Sequence, residues 1–349
     1  MATLQRVLAA TNLTSDIYYT TGNDLYSNDF DSKKPWSDII EVTDSRDNVW
    51  IKIPKFYTKY VMDETNTYIK ERYVSEFNGG NGWHLNPLFK NKNGKEIDYV
   101  FISKYLITEA SGWAYSKSGF APYGDVSSTT ARALIDSWDN VDTEYEYSSF
   151  DIWALIALQD LCIIEFANSN LHSVMHGITY KNYVSKKSIS GTTNSIGKSN
   201  SSAINTYKGN DSGLYAMKYR GIENVWGNGR LFVDGIYIEN KKAYVCEDTS
   251  SYGKYGEYKE ANLNINNTTG FVHQLGFDPE TYLVYPTTTV ASDGSYGDYC
   301  NTPTDNARVL CYLGAESQNG GQIGLSSFIL SSVNGSLPHT VFRMIKKSK

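Results

Sequence analysis

The residues that could do chemistry are few and loosely assembled. His172 and His176 stand four apart at the end of a run that reads as helix, so both rings would share one helical face. Glu165 lies seven residues before His172. Such a pair holds a metal only with a closed ligand set and supporting hydrogen bonds, and nothing else in the chain supplies them. A histidine near a helix C-terminus is also ordinary complementation of the helix dipole. Cys162, Cys246, Cys300 and Cys311 have no metal-ligand spacing. Cys162 sits in an apolar helical run and reads as a buried thiol, and Cys300 and Cys311 as two reduced thiols on neighbouring strands. Asp293 and Asp298 lie among glycines in SDGSYGDY (292–299), where a structural Ca²⁺ would find oxygen ligands. The D-x-D-x-D-G pattern is absent, so a plain turn is the favoured reading. Arg220, Glu223 and Trp226 share a stretch with Gly221, Gly227 and Gly229. No basic phosphate-loop residue follows, which removes a phosphate cradle. The expectation is a structural loop in which Arg220 and Glu223 pair beneath a packed Trp226.

The elements that must position these residues come from a chain of 349 residues, 40% of them apolar, enough for a sizeable core. A net charge of −6 argues against a nucleic-acid partner, because no basic field exists to release counterions. The only basic cluster, Lys346, Lys347 and Lys349, reads as a solubilising tail. The N-terminus lacks the charged and apolar regions of a signal peptide, and no apolar stretch is long enough to insert in a membrane. Tyrosine is the outlier, with 28 copies beside 28 glycines, much of it alternating with Ser, Gly, Asn and Thr. Binding surfaces enrich this mixture, because Tyr gives large amphipathic contact area at low entropic cost.

Residues 1–45 read as a polar N-terminal segment suited to oligomerisation or attachment, and 46–349 as one domain. Residues 49–61 alternate as a strand until Pro54 shifts the phase, and 68–77 is its expected partner. Another β stretch covers 96–108. A first helix has Ser128 or Thr129 as cap and Ala131, Leu134, Ile135 and Trp138 as its apolar face. A second runs through DIWALIALQDLCIIEFANSN (151–170), capped by Ser148 or Ser149 with Asp151 in its first turn. It is apolar nearly all round, which predicts a central buried helix. Residues 185–213 read as a long exposed insertion, and short strands follow at 230–240, 241–248 and 282–286. Two helices with short irregular strands and long loops define an α+β class. The C-terminal segment, about 290–345, is a loop-rich surface on a few strands, with Arg308 opening its first apolar run and Arg343 closing its last.

Several stretches in order carry a family resemblance: IPKFY (53–57), ISKYLITEASG (102–112), the second helix, YRGIENVWGN (219–228) with FVDGI (232–236), and GFVHQLGFD (270–278). With the C-terminal YGDY, ARVLCYLGAESQNGGQIGLSSFIL and VFR, they resemble phage and prophage proteins with a C-type-lectin fold of the formylglycine-generating-enzyme-like type. The C-terminal part is similar to the ligand-binding segment of tropism determinants and diversity-generating-retroelement variable proteins. Leu313-Gly314-Ala315-Glu316 stands where that family usually has Gly-Gly-Ser-Trp, and His339-Thr340-Val341 replaces the small residue before Phe342-Arg343.

The resemblance implies a virion receptor-binding protein at a tail tip or fibre, assembled in the host bacterial cytoplasm, commonly as a homo-oligomer such as a trimer. Its partners would be a host-surface glycan or protein and other virion proteins. The expected ligand contacts are exposed Tyr296, Tyr299, Tyr312, Glu316, Gln318, Asn319 and Gln322. Arg220, Glu223, Trp226, Arg308 and Arg343 are the expected structural residues, with the two C-terminal arginines as buried fork donors to carbonyls or carboxylates. A structural fibre or collar protein of the same fold is the alternative. A metal-dependent oxidase is more remote: related iron enzymes use a helical histidine pair with a distant Glu, but Cys300 and Cys311, eleven apart, do not match that family's close cysteine spacing. The sequence therefore reads as a binding protein and not an enzyme, with no cofactor expected.

Overall fold

The computed structural model describes residues 9–10, 20–21, 24–25, 30–166, 168–179, 188–203, 215–265, 268–292, 294–301, 308–313, 323–332 and 339–349. The architecture is α+β, mostly small antiparallel sheets with few helices. Among the described residues no helix is long and apolar enough to cross a membrane.

The N-terminal half lays down β1 (Ile40–Thr43), β2 (Val49–Pro54), β3 (Tyr57–Met62), β4 (Ile69–Ser75) and β5 (Tyr99–Ser103). The alternating run 49–61 is two strands. Pro54, with no N–H to extend a ladder, closes the first. β2 lies between β1 and β5, whereas β3 pairs with β4 in a separate sheet. The 96–108 stretch is likewise divided, β5 ending at Ser103 before a short strand Thr108–Ala110. In the N-terminal segment, the described residues 30–45 contribute to the main core. Phe30, Trp36 and Ile39 are in that core, and the Trp36 indole N–H donates to the Leu161 carbonyl at 3.2 Å.

Helix α1 (Ser128–Asp136) is capped one residue before the expected position: the Ser127 hydroxyl accepts from the Thr130 N–H at 3.1 Å. β6 (Tyr145–Ser149) leads into α2 (Ile152–Phe166). Its cap is Asp151 and neither serine, because the Asp151 carboxylate accepts from the Ala154 N–H at 2.8 Å. Every residue from Ile152 to Ile164 is buried, as a helix apolar on all sides requires. His172 lies beyond its end, on a separate single turn, Leu171–Val174.

The C-terminal half contributes β7 (Arg230–Glu239), β8 (Lys242–Val245), β9 (Gly270–Phe277), β10 (Val284–Val290), β11 (Val309–Leu313), β12 (Phe328–Ser332) and β13 (Met344–Ser348). One sheet runs β6-β13-β5-β2-β1, so the last strand sits between elements from the first half of the chain. A second contains β8-β7-β11-β12, and β9 pairs with β10 in a third. α2 packs against both β7 and β4.

The position of β13 corrects the reading of the terminal lysines. Lys346 and Lys347 are buried strand residues, not a tail. The Lys346 ammonium stands 4.6 Å from the Trp50 ring centroid, 4.4 Å from Phe101 and 4.7 Å from Tyr145, an aromatic enclosure that offsets part of its lost hydration. Lys347 donates to the Lys90 carbonyl at 3.1 Å. The 185–213 stretch is also more embedded than expected. Ser188, Ser190 and Thr193 are buried, and Asn200–Ala203 pairs with Tyr215–Tyr219. Residues 185–187 and 204–213 lie outside the described residues.

Candidate ligand face on the C-terminal sheet

The sheet β8-β7-β11-β12 is covered on both sides. Along β11, Val309, Cys311 and Leu313 enter the main apolar core, while Leu310 and Tyr312 enter a second one with Trp50, Phe232, Trp138 and Phe342. Strands buried on both faces read as continuous apolar runs, which is how VLCYL is written. Tyr312 is therefore not exposed as expected. It is 1% accessible, its ring lies 5.5 Å from that of Phe232, and burial pushes its phenol up to about 12. Tyr296 is corrected in the same way, at 2% accessible in the main core. Tyr299 is half-buried, with its ring edge-on to Phe271 at 5.4 Å. Glu316, Gln318, Asn319 and Gln322 lie outside the described residues, as does Asp293. The described residues that flank their segment, Leu313 and Ile323, are buried. Leu313 and Phe328 face one another across β11 and β12, and both are buried.

The two bounding arginines differ. Arg343 is fully buried and forks between two strand-end segments. It donates to the carbonyls of Ser103, Lys104 (3.0 Å), Glu223 (2.5 Å) and Asn224 (3.3 Å). Burial without a directly bonded carboxylate pulls its pKa down. Arg308 is not buried as expected: its side chain is 32% accessible, and it donates to Glu239 at 3.1 Å.

Arg220 and Glu223 do not pair. Arg220 donates to Glu165, Nε to Oε2 at 3.0 Å, and also to Asp31. Glu223 instead accepts from the Gly191 N–H at 2.7 Å, the Thr193 N–H at 2.8 Å and the Thr193 hydroxyl at 2.6 Å. This carboxylate fixes part of the 188–203 segment. Trp226 is buried nearby, and Gly227 packs so closely that a Cβ there would fall on the Gly177 carbonyl.

A buried polar chain that sequence reasoning missed runs beneath the sheet. Tyr60 donates to Asp160 at 2.6 Å, and Arg72 pairs with the other oxygen of Asp160. Arg72 donates to the Gln159 side-chain carbonyl at 3.3 Å, and the Gln159 amide donates to the Ser326 hydroxyl at 2.9 Å. The Ser326 N–H donates to Asp298 at 2.7 Å. The signal was the Gln159-Asp160 interruption in an otherwise apolar helix. Asp298 thus holds the turn that precedes β12. Its second oxygen has no hydrogen-bond partner among the described residues, and burial raises its carboxyl to about 8. A Cβ at Gly324 would meet that oxygen at 2.6 Å, so the turn needs glycine there.

The histidine rings of His172 and His176 meet edge to face at 5.1 Å, and burial pushes His172 down to about 4. Among the described residues no group of three or more His, Cys, Asp or Glu could hold a metal ion. All four cysteines are free and buried, and burial raises Cys300 to about 12, leaving it an unreactive thiol at neutral pH. What the described residues offer is a sheet buried on both faces, with β11 and β12 paired through Leu313 and Phe328. No protein-family model matches the chain, and no curated protein sequence matches it.

Proposed function

We propose that this chain is a phage virion protein of the C-type-lectin fold, of the formylglycine-generating-enzyme-like type, that binds a host-surface ligand at a tail tip or fibre. The observation that carries the reading is the anchoring of segment 314–322. The described residues on either side of it, Leu313 and Ile323, are both buried, and Leu313 at the end of β11 faces buried Phe328 on β12. Loops that bind are characteristically held this way, with polar residues on a scaffold that does not move. Glu316, Gln318, Asn319 and Gln322 supply the amide and carboxylate chemistry, and half-buried Tyr299 offers an aromatic edge on a neighbouring strand. Homo-oligomerisation and contacts to other virion proteins belong to the same reading.

The test uses particles that carry the protein. Antibody against the chain should decorate a host-facing end of the particle, and an excess of purified protein should slow adsorption to cells. Decoration of a collar or shaft with no effect on adsorption would replace this reading with a structural virion role.

A further inference from the structure

Arg308 stands over a cluster of tyrosine rings. Its guanidinium carbon stands 4.9 Å from the ring centroid of Tyr237 and 4.7 Å from that of Tyr255. Tyr237 is stacked flat on its cross-strand partner Tyr244, 4.8 Å away at 7°. Tyr258 leans on Tyr237 at 5.1 Å. Tyr237 is buried, whereas Tyr244, Tyr255 and Tyr258 are half-buried and reach the surface. Arg343, the structural arginine, is fully enclosed and has four carbonyl acceptors. Arg308 is about one-third open, bonds only Glu239 among the described residues, and leaves its Nε without a partner.

We propose that Arg308, Glu239, Tyr244 and Tyr255 form a subsite for an uncharged saccharide. The inference rests on the reading of the chain as a binding protein and names a ligand class for it. Tyr244 has one face on Tyr237 and Tyr255 has Arg308 over it, and the ring surface that these half-buried tyrosines leave to solvent suits the C–H face of a pyranose. Arg308 supplies donors and Glu239 acceptors, side by side, for neighbouring hydroxyls. Charge balance selects the class. Glu239 already neutralises Arg308, so an anionic ligand would find no uncompensated cation. A purely apolar ligand would desolvate the guanidinium and the carboxylate with nothing in return. A flat, neutral, hydroxyl-rich molecule satisfies both the rings and the polar pair.

The test compares wild type with Tyr255→Ala, Arg308→Gln and the double variant Gln318→Ala, Asn319→Ala. Each is applied to an array of neutral and acidic oligosaccharides and to bacterial cells, with melting temperature recorded. Wild type should bind neutral oligosaccharides. Tyr255→Ala and Arg308→Gln should each weaken that binding roughly tenfold or more at little cost in stability. Should Tyr255→Ala disturb the ring cluster, Glu239→Gln, which keeps the shape and removes the charge, must still weaken binding. Binding of acidic oligosaccharides alone, of none, or binding untouched by these substitutions would overturn the subsite. If cells were still bound in that case, and bound less by the double variant, the receptor-binding reading would stand without it.

Discussion

Arg72 and Asp160 form an ion pair in which neither side chain has any solvent exposure. It joins β4 to the middle of α2, and Gln159 extends it to Ser326 beneath the candidate face. Removing one partner strands a buried charge. Asp160→Ala or Arg72→Ala should each destabilise the protein by about 3–5 kcal/mol, whereas the double variant Arg72→Ala, Asp160→Ala should cost less than the two single changes summed. Urea unfolding of the four proteins measures the coupling. Simple additivity would mean that the pair is not the unit described.

Asp298 makes stability depend on pH in an unusual direction for a carboxyl. Its folded pKa is raised to about 8 by burial, above the ordinary 3.8. The native state therefore keeps a proton that the unfolded chain releases. Its contribution is fully present below about pH 4 and is lost as pH rises toward 8. Asp298→Asn mimics the protonated form and can still accept from the Ser326 N–H. Relative to wild type, the variant should gain stability between pH 5 and pH 8. A difference that stays flat over that window would show that Asp298 is ionised in the native protein.

Tyr312 was expected at the surface and lies in the second core, so Tyr312→Ala should lower stability by about 3–5 kcal/mol. The same change at half-buried Tyr299 should cost less. Chemical denaturation of both variants ranks them, and equal small losses would place Tyr312 outside.

How much of this was legible divides by the kind of force involved. α2 could be read because its burial is written in consecutive residues, and its cap was missed by only two or three positions. The α+β class followed from the same local patterns. Lys346 and Lys347 could not be read, because their surroundings come from distant strands and loops, Trp50, Phe101 and Tyr145 around Lys346 and the Lys90 carbonyl at Lys347. Arg72 looks like the polar side of an alternating strand until α2 places Asp160 against it. Arg220 and Glu223 stand close in sequence and invited pairing, but each reaches a different remote segment. The Tyr237, Tyr244 and Tyr255 cluster was visible only as composition, since β7–β8 pairing brings the first two together.

Glu223 should govern the segment it holds. Glu223→Ala removes the acceptor of the Gly191 and Thr193 amides. Their hydrogen exchange should accelerate by roughly tenfold or more, while amides in α2 keep their protection. Unchanged exchange at those two amides would show that the segment is held by other contacts.

Quantitative binding of the purified protein to a panel of bacterial cells tests the central claim most directly, with wild type beside the Gln318→Ala, Asn319→Ala double variant. The account predicts saturable binding to particular strains, weakened roughly tenfold or more by the double substitution. The melting temperature should stay within about 2 °C. Absence of binding to any strain, or binding that the substitutions leave unchanged, would contradict it.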